Sequence, residues 1–207
     1  MKPWSNWMLI METNSQFNLV SQVDLTIDAY KSGAFPMAEN GVLGFYTCNP
    51  RSVFFWDSFH IPKRLKQTYR KNLFKFKLNT SFKDVVEACR KNREEWISDE
   101  LAKIYQGMHA RGHAHSFEAW QEGKLVGGIL GTSFGATFLA ESMFHTVTHA
   151  SNCCLIFMIE TLKEHSYHFC DIQYSNEHTQ RFHPVEVPQK QFNTMLATSL
   201  KSTPIPL

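Results

Sequence analysis

The sequence is short of the marks that define several protein classes. Its five cysteines are an odd number, no C-x-x-C pair occurs, and Cys153 and Cys154 sit side by side in an apolar run. That is a reduced pattern, which argues against a disulfide framework and a cysteine-bound zinc. The ten histidines include no H-E-x-x-H. The run "HARGHAH", His109 to His115, has no cysteine or carboxylate at ligand spacing, so no metal centre is expected there. The N-terminal "MKPWSNWMLIMETN" carries an apolar patch without the layout of a cleavable signal. The uncharged stretch Val126–Ala140 contains four glycines and is too short to span a bilayer. No repeat or low-complexity linker is present. A cytoplasmic protein without a membrane partner is expected.

The 207 residues are 43% hydrophobic and 14% aromatic, enough for a packed core, and 17 phenylalanines suit a fold with apolar pockets. The net charge is only +2, but it is unevenly spread. Between His60 and Arg93 lie eleven Lys/Arg and two acids, Asp84 and Glu87; the rest of the chain holds ten basic and seventeen acidic residues. One basic face on an otherwise acidic chain points to a polyanionic partner.

Periodicity and turn residues predict the elements in order. Residues 1–20 read as an irregular arm. "SQVDLTIDAYKSGAFPM" reads as a short helix with Ser21 at its N-cap, ending at Gly33. "GVLGFYTCNPRSVFFW" reads as two strands around Asn49-Pro50. "TSFKDVVEACRKNR" is a helix with Phe82, Val85, Val86 and Cys89 on one face. "SDELAKIYQGMHARG" is a second, capped by Ser98 and closed by Gly112. Three antiparallel strands follow, "HSFEAWQ", "LVGGILGTSF" and "TFLAESMF". Then come the helix "ASNCCLIFMIETLKEHS", the strand "HFCDIQ", the short helix "NEHTQRF", the strand "VEVP" and the helix "QKQFNTMLATSL". The fold class is α+β: a mixed, mostly antiparallel sheet flanked by helices, with a small α+β lobe over residues 1–79 and a larger domain over 80–207.

Three features put polar groups in apolar places. Glu141 interrupts "TFLAESMF". Trp96 and Trp120 are large aromatics near polar neighbours. Asp171 and Gln173 stand two apart in an apparent buried strand, where both would face the same way. Burying a carboxylate and an amide together is costly unless both are hydrogen-bonded. Convergence of Glu141 with that pair would make a binding site; each residue could equally satisfy backbone groups at a strand end.

The order of elements resembles the GNAT acetyltransferase fold. That fold holds coenzyme A with R/Q-x-x-G-x-G/A at a helix start, and the turn here, "HTVTHASN", has no glycine. No coenzyme A and no other cofactor is expected. The blocks "AYKSGAFPM", "NPRSVFF", "HIPKRL", "EWISDELAKIYQGMHARGHAHSFEAWQEGKLVGGILG", "AESMFHTVTHAS" and "DIQYSNEHT" resemble, in order and spacing, the leucyl/phenylalanyl-tRNA–protein transferase family over about Leu25 to Leu196. The resemblance implies a GNAT-like C-terminal domain that moves an amino acid from charged tRNA to proteins with a basic first residue, Arg or Lys, marking them for degradation. A monomer is expected.

Residue by residue, the resemblance implies that Asp171 and Gln173 form the catalytic centre and that Glu141 contacts the aminoacyl end. Met143, Leu155 and Met158 would line the side-chain pocket, with Leu, Phe or Met as donor. Trp96 and Tyr46 would frame the 3′ end, and Asn176 follows the catalytic strand. Lys63, Arg64, Lys66, Arg70 and Lys71 would meet acceptor-stem phosphates. Two departures stand out: "FYTC" replaces Trp-Trp-Ser-Pro, and "RFHP" replaces Ser-Leu-Gly-Ala. A changed donor, a changed acceptor such as an acidic N-terminus, and a non-catalytic tRNA-binding module remain alternatives.

Overall fold

A computed structural model describes residues 7–12, 18–39, 41–91 and 96–207. Two sheets carry the fold. The smaller has the order β1-β3-β2, from Trp7–Glu12 (β1), Phe35–Glu39 (β2) and Val42–Cys48 (β3), all antiparallel. The larger sheet has the order β10-β4-β9-β8-β7-β6-β5. Its strands are Arg51–Phe54 (β4), Lys75–Leu78 (β5), Ala114–Gln121 (β6), Lys124–Phe134 (β7), Thr137–His145 (β8), Phe169–Asp171 (β9) and Val185–Val187 (β10). Among the described residues only β8 and β9 run parallel; the other pairs are antiparallel. This is the mixed, mostly antiparallel sheet expected from the sequence.

Helices cover both faces of the larger sheet. On one side Leu19–Lys31 (α1), Phe82–Lys91 (α3) and Asp99–Ala110 (α4) pack with the smaller sheet into a core that includes Tyr30, Leu43, Val86, Ile104, Leu130 and Leu139. On the other, Lys63–Arg70 (α2) and Ala150–Glu164 (α5) build a second core with Phe54, Ile129, Phe138 and Ile172. Leu130 and Ile129 enter opposite cores because neighbouring strand residues face opposite ways. Gln189–Ser199 (α7) closes β4, β9 and β10 through Phe192 and Leu196. Gly127 lets the start of α5 come close to β7: a Cβ there would stand 2.8 Å from the Ala150 Cβ and 2.9 Å from the Ser151 nitrogen.

The three-strand meander, α3, α4, α5 and the last helix lie where the sequence predicted them, and the four residues assigned to the inner face of α3 are buried. Ser98 caps α4, its side chain accepting from the Leu101 N–H. The front of the chain differs. Part of the expected irregular arm is β1; the rest, 1–6 and 13–17, lies outside the described residues. Asn92 and Arg93, read as the end of α3, also lie outside them. Asn18, not Ser21, caps α1, because the Asn18 side chain accepts from the Ser21 N–H one turn in. Residues after Gly33 form β2, which pairs with β3 directly after it, Glu39 opposite Val42. The two strands around Asn49-Pro50 do not pair: β3 belongs to the smaller sheet and β4 to the larger. Residues on both sides of Asn79 therefore share the larger sheet.

Candidate active site

Strand β9 ends at Asp171, and the chain then turns sharply. Gln173 lies just beyond the strand in a left-handed conformation, φ +58°. The two side chains therefore do not share a strand face. Left-handed backbone in a residue with a Cβ is strained and persists only where its surroundings enforce it. Here the main chain is held at both ends. The Gln173 N–H donates to Asp171 Oδ1 at 2.8 Å. Its carbonyl accepts from the Ser52 N–H at 3.0 Å and from Cys48 Sγ at 3.1 Å.

Asp171 is fully buried, and so is its partner, Arg51 of β4. Arg51 Nε lies 3.0 Å from both carboxylate oxygens and Nη2 is 2.6 Å from Oδ2. Arg51 Nη1 donates to the Gly33 carbonyl at 3.1 Å. The guanidinium is stacked between Phe35 and Phe192, 4.9 and 4.4 Å from their ring centres. Burial alone would lower its pKa, but the Asp171 charge and hydrogen bonds outweigh that and hold it above its ordinary value. Burial pushes the Cys48 thiol up to about 11, so it is a neutral donor to Gln173.

Glu141 of β8 faces the same corner. Its residue surface is partly open to a cavity, while its carboxyl is enclosed by Thr132, whose hydroxyl donates to Oε1 at 3.2 Å, by Tyr30 and by Gln173. Desolvation, reinforced by the nearby Asp171 charge, pushes Glu141 up to about 8, against the lowering effect of its Tyr30 and Thr132 bonds. The proton bears on the Gln173 amide. With its nitrogen toward the Ala140 and Ile172 carbonyls, Gln173 makes bonds of 3.2 and 3.0 Å. The reverse orientation gives one contact to Glu141 Oε2, at 3.4 Å. Two shorter bonds favour the first, and the amide oxygen then faces Glu141, which can donate because it is protonated. Behind Glu141, the Tyr30 and Tyr105 hydroxyls lie 3.3 Å apart.

These groups edge a cavity of about 80 Å³, several times the space of roughly 10–15 Å³ that one water needs. Phe54, Ile129, Ala140, Met143, Leu155 and Ile172 form its apolar wall; Glu141, Ser142, Gln173, Tyr174, Asn176, His178 and Thr179 form the polar side. Asn176 also caps the short helix Glu177–Gln180 (α6) with a capping box. An apolar pocket with a few convergent polar groups is the usual form of a small-molecule site.

The family description "Leucyl/phenylalanyl-tRNA protein transferase" matches residues 53–197. The chain belongs to the leucyl/phenylalanyl-tRNA–protein transferase family. Proteins named leucyl/phenylalanyl-tRNA–protein transferase are similar to it nearly end to end. The one from Rubrobacter xylanophilus is 37% identical over 180 residues, 86% of this chain and 94% of that protein. The one from Akkermansia muciniphila is 38% identical over 184 residues, covering 86% and 95%. The one from Salinibacter ruber is 37% identical over 183, covering 87% and 81%.

Within this transferase, the residues singled out in the sequence fall into three groups. Glu141, Met143, Leu155, Gln173 and Asn176 line the cavity, and Asp171 stands one hydrogen bond behind Gln173. Met158, Tyr46 and Trp96 are not in its lining. Met158 is buried in the core beneath α5, Tyr46 is buried in β3, and Trp96 packs against the opposite core, its carbonyl accepting from the Ala38 N–H. Lys63, Arg64, Lys66, Arg70 and Lys71 are exposed on α2 and its C-cap, and none makes an ion pair among the described residues.

His109 and His113 bond to the Ala114 and Ser133 carbonyls and stack on Phe82 and Phe134; His115 meets the Ser133 hydroxyl. Trp120 donates to Glu118. The sequence reading missed Arg51 and the Tyr30–Tyr105 pair. Arg51 had a signal: a buried Asp171 requires a cation, and "PRSVFF" is an arginine at the head of an apolar strand.

Proposed function

We propose that this transferase moves Leu or Phe, and also Met, from charged tRNA to the N-terminal α-amine of proteins that begin with Arg or Lys, so that they are degraded. The observation that carries the reading is the apolar cavity with Glu141 and the clamped Gln173 at its rim. A Leu, Phe or Met side chain fits a wall of Phe54, Met143, Leu155 and Ile172; methionine makes such pockets adaptable. A Lys or Arg donor would bury an unpaired charge against that wall.

An aminoacyl ester is already activated. The acceptor nitrogen attacks the ester carbon, the C–N bond forms, and the C–O bond to the ribose breaks. A proton leaves the amine and one reaches the ribose oxygen. The site has to align amine and ester and stabilise the developing oxyanion. A neutral amide is a poor base, so Gln173 orients groups. Asp171 is sealed off by Arg51 and the Gln173 N–H, so the proton travels through water or the ribose hydroxyl.

Helix α2 packs on α5 through Leu65, and Tyr69 donates to Glu160 at 2.7 Å. The basic face of α2 is thus mounted on the helix that supplies Leu155 to the cavity wall. This suits an acceptor stem held at its phosphates, a contact without sequence readout, with its 3′ end entering the cavity. No cofactor takes part, and the protein works as a cytoplasmic monomer.

The test is transfer of labelled amino acid from Leu-, Phe- and Met-tRNA to peptides with N-terminal Arg or Lys, with Asp and Glu peptides as controls. Transfer to the basic peptides is expected. Transfer only to acidic ones would mean an exchanged acceptor. Binding of charged tRNA with no transfer would mean a binding module.

A further inference from the structure

Arg51 is a fully buried cation that the transfer chemistry above does not use. Desolvating a guanidinium is expensive, and an ion pair sealed from water is weak evidence for stability, since apolar residues of similar volume often serve as well. Its surroundings are nonetheless specific. Nε and Nη2 clasp the Asp171 carboxylate, Nη1 holds the Gly33 carbonyl, and two phenylalanine rings flank the plane. Asp171 Oδ1, held by Arg51, also accepts from the Gln173 N–H, the one main-chain donor of a residue kept at φ +58°.

We propose that Arg51 is a positioning residue for transfer: by fixing the Asp171 carboxylate it holds Gln173 in its left-handed turn, and so sets the amide against Glu141 at the cavity rim. This rests on the transferase reading above. Without Arg51, the Asp171 carboxyl would take up a proton, as a buried carboxyl without a cation does, and, no longer clasped, would rotate toward water. That rotation breaks the bond to the Gln173 N–H and frees the turn to relax to negative φ, swinging the amide away from the Ala140 and Ile172 carbonyls. Lysine cannot substitute, because an ammonium is a single point donor where the guanidinium presents a planar fork. The guanidinium does not reach the cavity, so its effect should appear in the rate of transfer and not in donor binding.

The experiment measures kcat and KM for transfer from Phe-tRNA to an N-terminal Arg peptide in the wild type, Arg51→Lys, Gln173→Ala and the double variant, with near-UV circular dichroism as the check on folding. Arg51→Lys should lower kcat by about 100-fold, the scale of an ångström misplacement at a reacting centre. KM for Phe-tRNA should change by less than about threefold. In the Gln173→Ala background, Arg51→Lys should cost less than about threefold more, since the group it positions is gone. Full multiplication of the two losses would overturn the proposal and make Arg51 a structural residue acting independently of Gln173. An unchanged kcat in either single variant would overturn it too.

If Arg51→Lys does not fold, Asp171→Glu decides the matter. It keeps the buried charge pair but displaces the carboxylate by one methylene, so the same loss of kcat is expected; normal transfer by a folded Asp171→Glu chain overturns the proposal. Failure of the wild type to transfer from any of the three charged tRNAs is a separate result. It would overturn the reading of the function, and this proposal with it.

Discussion

Glu141 and Asp171 are two carboxyls in one corner, and their surroundings divide them. Asp171 has a guanidinium; Glu141 has hydroxyls and an amide. Burial, with the Asp171 charge adding to it, pushes the Glu141 carboxyl up to about 8, while Asp171 has the cation as its direct partner. This has a consequence for stability. The carboxyl titrates near 4.5 in the unfolded chain and near 8 in the folded one, so between those values the folded state binds more protons. Stability from this group is therefore full below the lower value and falls as pH rises toward the upper. Glu141→Gln should remove that slope. Urea unfolding at pH 5, 6.5 and 8 should show the variant gaining on the wild type at each step; a constant difference would mean that Glu141 is ionised throughout.

Helix α2 shows how a weakly structured basic run becomes a surface. Leu65 and Tyr69, four apart, face α5, and this turns Lys63, Arg64, Lys66 and Arg70 to solvent. Each phosphate contact contributes about 0.9 to the slope of log K against log salt on a duplex. Reversing Arg64 and Lys66 to Glu should weaken tRNA binding and flatten that slope by about 2. An unchanged slope would place the tRNA on another face. Helix α3 is anchored differently. Buried Glu118 of β6 accepts from the Thr80 and Ser81 N–H groups, the Ser116 hydroxyl and Trp120, and it also meets the Thr80 hydroxyl. Burial would raise its pKa, yet these donors together hold it below the usual value. The "HSFEAW" block thus joins a strand to the start of a helix, on the side of the sheet that the cavity does not use.

Across the whole molecule, the smaller sheet and the larger one share a core. Tyr30, Phe35 and Leu43 pack in one cluster with Leu101, Leu130 and Leu139. Arg51 stitches the two sheets further, holding Gly33 before β2 and Asp171 at the end of β9. A lobe that shares its core in this way should not unfold alone. Far-UV and near-UV circular dichroism should report one coincident thermal transition, as a single cooperative unit requires. Two separated transitions would mean that residues 1–79 form an independent domain. Among the described residues no helix is long and apolar enough to cross a membrane.

Local pattern carried much of this protein. The helix periodicities, the caps at Ser98 and Gly112, the three-strand meander and the basic run were legible because each depends on neighbours within a few residues or a turn. Asp171, Gln173 and Glu141 were legible as polar groups in apolar runs, since burial without a partner is costly whatever the fold. Their partners were not. Arg51 lies 120 residues before Asp171, and Cys48 lies 125 before Gln173, so nothing local links them. β1 and the division of β3 and β4 between two sheets depend on the same kind of distant pairing. The left-handed turn at Gln173 is not a preference of glutamine; it exists because Asp171, Ser52 and Cys48 hold both ends of its main chain. Residue types and spacing named the groups that could do chemistry, and long-range packing chose which are charged, which is neutral and where the amide points.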